Sequence, residues 1–101
     1  MLLAGPQSSP GVLSGLYDVL YSVGAVFADM TLGAPGEEAM RVQISSEDGQ
    51  PFRCIGDVRA EPHVAMNAVA RADAVLVCDM YTPITIAPVG AYPAIGAWLR
   101  T

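Results

Sequence analysis

Apolar residues are spaced unevenly along the chain, and the spacing predicts alternating strands and helices. The four apolar residues 1–4 are closed by Gly5-Pro6 and fit a short, fully buried strand. The loop Gly5-Pro6-Gln7-Ser8-Ser9-Pro10-Gly11 follows. Ser9 before Pro10 is a helix-start signal, because serine caps free N–H groups and proline tolerates the first helical position. Over 12–23, Leu13, Leu16, Leu20 and Val23 recur at helical spacing, with Ser14, Asp18 and Ser22 on another face. Gly24 is the expected stop. Residues 27–38 show no period and contain Gly33, Pro35 and Gly36, so they read as a loop.

Met40, Val42 and Ile44 alternate with Arg41, Gln43 and Ser45, which predicts a strand with one buried face. Glu47-Asp48-Gly49-Gln50 reads as a turn. Residues 52–55 and 58–61 flank Gly56-Asp57 and predict a small hairpin. Glu61-Pro62 is read as opening a short helix that carries Val64, Ala65, Met66, Val69 and Ala70. The continuous apolar run 74–78 is read as a central parallel strand. A Thr- and Pro-rich loop over 79–90 leads to a last helix opened by Tyr92-Pro93, with Ile95, Trp98 and Leu99 on one face. Trp98 reads as the anchor of that helix on the sheet. This alternation indicates an α/β fold with a mostly parallel sheet, of the flavodoxin-like three-layer kind. The pattern supplies about three parallel strands and a hairpin, where a doubly wound domain uses about five. The sheet is therefore expected to be incomplete, with an open apolar edge that pairs or self-associates.

Composition narrows the function classes. The 101 residues allow one domain, and 52% of them are hydrophobic against 15% charged, with mean hydropathy +0.41. Ordinary globular chains carry about 25% charged residues, so exposed or partner-covered apolar surface is expected. Five Arg and no Lys, against ten Asp+Glu, give a net charge of −5, which argues against nucleic-acid binding by this chain alone. Two cysteines make no disulfide framework and suggest reduced thiols in the cytoplasm. Neither a signal peptide nor a run long enough to span a bilayer is visible, so no membrane association is expected.

Several residues carry candidate chemistry. Cys78 ends the presumed central strand, where open α/β sheets bind ligands, but it has no cationic neighbour and Asp79 opposes thiolate formation. It is read as a buried structural thiol, and Cys54 as a small apolar hairpin residue. His63 is read as a solvent-facing histidine at a helix start, and His63, Cys54 and Cys78 lack metal-ligand spacing, so neither metal nor cofactor is expected. The loop at 5–11 lacks the glycine and lysine pattern of a phosphate loop. Ser9 reads first as a plain cap. The alternative is that Gln7, Ser8 and Ser9 converge with Asp79, Met80 and Tyr81 on a ligand cleft.

The block Leu2-Leu3-Ala4-Gly5-Pro6, together with Gly15-Leu16-Tyr17-Asp18-Val19-Leu20, resembles the first strand and helix of the ThiJ/PfpI family, within the class I glutamine amidotransferase-like superfamily. The stretch from Val42-Gln43-Ile44 to Gly49-Gln50-Pro51 is similar to the family's second strand and turn. Ala72-Asp73-Ala74-Val75-Leu76-Val77 looks like the strand ending at its active site, and Trp98-Leu99-Arg100 resembles the helix that follows. Within that family the chain resembles the N-terminal domain of GlxA-type regulators of the AraC family. The resemblance implies that residues 1–101 form a partial domain, truncated before the elbow that carries the nucleophilic cysteine. It also places Val12 where many members have an acidic partner, and Asp79 and Met80 where they have oxyanion glycines. The implied function is a non-catalytic ligand-sensing and oligomerisation domain of a transcription regulator, without its DNA-binding helices. The expected partners are a small-molecule effector and further copies of the chain. The alternatives are a small thiol-dependent hydrolase or hydratase of the same superfamily, and a self-associating protein without chemistry.

Overall fold

A computed structural model describes residues 1–23, 25–34, 40–85, 87 and 89–101; the side chains of residues 25, 27 and 28 are outside the description. The chain forms a mixed α/β structure. Its elements are β1 (Leu2–Leu3), α1 (Pro10–Ser22), α2 (Ala25–Leu32), β2 (Ile44–Ser46), β3 (Phe52–Arg53), β4 (Arg59–Ala60), β5 (Val64–Ala65), a 3-10 turn (Met66–Ala68), β6 (Leu76–Val77) and α3 (Pro93–Leu99). Strands β5, β2, β1 and β6 form one parallel sheet in that order, and β3 and β4 form a separate antiparallel hairpin. Counted along the chain, the parallel strands lie in the order 3-2-1-4, so the winding reverses between β1 and β6.

β1 is the centre of the structure. Leu2 and Leu3 are both fully buried although adjacent side chains point to opposite faces of a strand. Each therefore heads its own core. Leu2 packs with Ala4, Leu13, Cys54 and Cys78 beneath Leu16, Tyr17 and Leu20 of α1. Leu3 packs with Met66 and Ile95, flanked by Tyr92 and Trp98 from the α3 region. The sheet is thus covered by α1 and the hairpin on one face and by α3 on the other.

Several sequence expectations are corrected. The strand ending at Cys78 is not central: among the described residues β6 pairs with β1 alone and forms an edge, leaving Leu76 and Val77 part-exposed. A continuous apolar run marks burial on both faces, but residues 1–4 already fill the central place, and β6 takes the flank. The helix expected from residue 61 is instead β5 and the 3-10 turn. Val64 and Ala65 align with Ser45 and Ser46, so a fourth parallel strand is gained and the backbone satisfies its hydrogen bonds on β2 rather than within a helix.

Residues 25–32, expected to begin a loop from 27, form α2; Gly33, at φ 70°, closes it by donating to the Asp29 carbonyl. The reason is legible: α2 exposes Val26, Met30 and Leu32, so it has no single apolar stripe for periodicity to detect. Residues 35–38, the rest of that expected loop, and the expected stop at Gly24 lie outside the described residues. Val23 is 40% exposed at the end of α1 rather than part of its buried stripe. The second strand begins at Ile44, and Met40 is exposed. The hairpin forms as read, with Gly56 and Asp57 both at positive φ in its tight loop.

Candidate functional site

The loops that leave β1 and β6 meet where the strand order reverses, and a network of hydrogen bonds locks them together. The Ser8 hydroxyl, fully buried, accepts from the Gly5 N–H at 3.1 Å, and the Ser8 N–H donates to the Gly5 carbonyl. This folds residues 5–8 into a tight turn. The Ser8 carbonyl accepts from the Ile55 N–H at 3.0 Å, which docks the hairpin on the turn. The Gln7 carbonyl accepts from the Tyr81 N–H at 2.8 Å, so Gln7 and Tyr81 meet through backbone rather than side chain. The Tyr81 carbonyl in turn accepts from the Tyr92 hydroxyl at 2.5 Å, tying in the start of α3.

Ser9 occupies the cap position of α1 but makes no side-chain cap, which corrects its simplest reading. Its hydroxyl donates to the Asp79 carboxylate, and its N–H donates to both carboxylate oxygens at 3.0 and 3.2 Å. Asp79 thereby supplies the negative charge that a helix N-terminus favours. The Ser9 hydroxyl, and secondarily its N–H, hold the Asp79 carboxyl below the usual carboxylate range. A group whose folded pKa is depressed stabilises the fold above its ordinary unfolded value, and the contribution is lost as pH falls through the depressed one. Asp79→Asn is therefore expected to lower the melting temperature at neutral pH. The gap to the wild-type chain should close as a thermal-melt series is taken into strong acid. A gap that widens on acidification would refute this role.

Behind these ties lies a cleft of about 440 Å³, within the range of small-molecule sites. One wall is the end of β1 and its turn, including Gln7. The second is Ser46, Glu47, Asp48 and Phe52, from the end of β2 to the hairpin. The third is Met80, with Tyr92 and Ile95 from the α3 region. Of the six residues singled out from sequence, Gln7 and Met80 line the cleft. Ser8, Ser9, Asp79 and Tyr81 stand outside the lining and brace it. Sequence reasoning missed the wall from β2, although the Glu47-Asp48-Gly49 turn signal following a strand marked where it lies. A second depression of about 360 Å³, bordered by Arg71, Val75 and Trp98, sits at the amino end of β6, away from the carboxyl strand ends where open α/β sheets bind ligands.

Both thiols are buried and free, and both share the Leu2 core. Burial, then the Asp79 charge, pushes the Cys54 thiol up; burial, then Asp79 and then Cys54, does the same for Cys78. Neither is arranged as a nucleophile.

His63 is not at a helix start. Its Nδ1 accepts from the Ile44 N–H at 2.9 Å, its own N–H donates to the Ile44 carbonyl, and its ring stacks 6.0 Å from that of Tyr17. Among the described residues no group of three or more His, Cys, Asp or Glu is arranged to hold a metal, and no helix is long and apolar enough to cross a membrane. Comparison with protein-family models, curated proteins and solved structures finds no match to this chain.

Proposed function

We propose that this chain is a non-catalytic ligand-sensing and oligomerisation domain, flavodoxin-like in fold and of the ThiJ/PfpI kind that serves AraC-type transcription regulators. The observation that carries the reading is the braced cleft at the reversal of strand order. Loops from β1 and β6 are cross-linked by Ser9–Asp79 and Gln7–Tyr81 contacts, leaving a preformed pocket with a mixed apolar and polar lining. Preformed clefts at this point of doubly wound sheets are the usual ligand sites. The buried, less acidic thiols support binding over covalent catalysis. Self-association is supported by the edge strand β6, which exposes Leu76 and Val77 within a run, residues 74–78, that holds no Lys or Pro to block pairing.

The test combines binding and reactivity. Saturation-transfer NMR of the chain with a mixture of small aromatic fragments should show binders whose signals disappear in Gln7→Trp. That substitution fills the cleft mouth while keeping the backbone carbonyl that holds Tyr81. Iodoacetamide at neutral pH should modify Cys54 and Cys78 more slowly than free cysteine. Either thiol reacting faster than free cysteine, or fragments binding both variants alike, would overturn the proposal.

A further inference from the structure

Exposed apolar surface is concentrated on the two helices that follow β1. Val12, Val19 and Val23 form one row along α1 and its end, each at least 40% exposed. The row runs beside the stripe of Leu13, Leu16 and Leu20 that packs in the Leu2 core. In α2, Val26 and Met30 lie one turn apart and Leu32 follows, the last two 79% and 80% exposed. Neither core draws a described side chain from α2. Clustered apolar exposure of this kind marks an interaction surface, whereas single exposed residues do not.

The charges on this surface have one sign. Asp18 adjoins Val19 and Asp29 adjoins Met30, and both are exposed. None of the ion pairs found among the described residues engages either carboxylate. No Lys, Arg or His precedes Arg41 in the sequence. A second copy seated face to face would bring Asp18 and Asp29 against the same carboxylates with no cation between them, which charge disfavours. An anionic membrane is disfavoured on the same ground. The backbone groups of a helix are engaged within it, so the contact must be made by side chains, which suits a helix and not an added strand. Gly15, beside the α1 row, has open space where a Cβ would stand, so a partner backbone can approach closely there.

We propose that the α1–α2 face docks an amphipathic helix of a partner protein. Its apolar stripe lies against Val12, Val19, Val23, Val26 and Met30, and Lys or Arg beside the stripe meets Asp18 and Asp29. None of these residues lines the cleft, so the proposal is independent of the ligand reading.

Fluorescence anisotropy tests it with the full chain and a labelled leucine–lysine peptide of about 18 residues, its leucines in one helical stripe. This peptide should bind about tenfold more tightly than its leucine–glutamate counterpart, and than a leucine–lysine peptide with the stripe scrambled. Val19→Ser/Met30→Ser should weaken binding about tenfold. Asp18→Asn/Asp29→Asn should weaken it by about the same factor, and added salt should shrink that effect. Glu61→Gln/Asp73→Asn removes two exposed charges elsewhere and should change binding little. In the wild-type chain, methyl signals of Val19, Val26 and Met30 should shift on peptide addition while those of Leu3 and Ile95 stay, which locates the site without any substitution. Equal weakening by the two charge variants, none by Val19→Ser/Met30→Ser, or equal binding of the scrambled peptide would reduce the effect to net charge and overturn the proposal. So would absence of binding, or sedimentation showing that Val19→Ser/Met30→Ser turns a dimer into a monomer. Binding to phosphatidylcholine vesicles that the same variant loses would assign the face to a membrane and also overturn it.

Discussion

Replacing Gly49 with alanine is expected to destabilise the chain by about 3 kcal/mol, more than the same change at any other described glycine. Gly49 sits at φ 76°, in the left-handed region, and a Cβ built there would lie 2.9 Å from the Ala65 backbone nitrogen and 3.0 Å from the Ala65 Cβ. The strained backbone conformation costs about 1–2 kcal/mol for an L-residue. The clash adds to it, because Ala65 belongs to β5 and is held in register with Ser46 of β2. The neighbour cannot yield without disturbing the sheet. The turn also positions Glu47 and Asp48, so fragment binding at the cleft should weaken together with stability. Gly15, in α1 with open space around its Cβ position, is the control: Gly15→Ala should stabilise by about 0.5–1 kcal/mol. Urea denaturation of the three proteins measures the series. A Gly49→Ala loss below that of an ordinary surface substitution would show that the turn can relax, and with it the rim of the cleft.

Leu3→Ala should cost about 3–5 kcal/mol, the range for a fully buried leucine whose neighbours cannot collapse into the space. Leu3 is the residue on which the α3 face depends. It is fully buried, packs on Met66 and Ile95, and its carbonyl accepts from the Cys78 N–H at 2.9 Å. Domains of this size have about 5–15 kcal/mol in total, so the loss approaches the whole. Trp98, the only tryptophan, packs against the same cluster and reports the change through its fluorescence. The expected result is a large fall in the urea midpoint with a red-shifted Trp98 emission. Leu99→Ala, at a residue 46% exposed, should shift the midpoint little. Comparable midpoints for the two variants would mean that β1 is not the centre of the core.

These two sites differ in how far they can be read from the chain. That Leu3 lies in a buried strand follows from a short apolar run stopped by Gly5-Pro6, because local burial and local turn chemistry are sequence properties. That Gly49 belongs to a turn is likewise plain from Asp48-Gly49. What touches Gly49 is not legible: Ala65 lies beyond the hairpin, in a segment whose apolar spacing suits a helix and which becomes a strand only because β2 offers an unpaired edge. His63 shows the same limit. Its partner, Ile44, is fixed by the pairing of β5 with β2 and by nothing in the residues around it.

The chain by itself determined the α/β character, the buried first strand, α1 and α3, the hairpin, and two loops with the residues to frame a cleft. Each depends on periodicity or turn chemistry within a few neighbouring residues. Only the tertiary structure decided the order of the strands, the edge position of β6, the wall contributed by residues 46–48, and the diversion of the Ser9 hydroxyl from its own helix to Asp79. Those depend on which backbone edges and side chains are brought together across long stretches of chain, where competing partners of similar local propensity are separated only by the packing they complete.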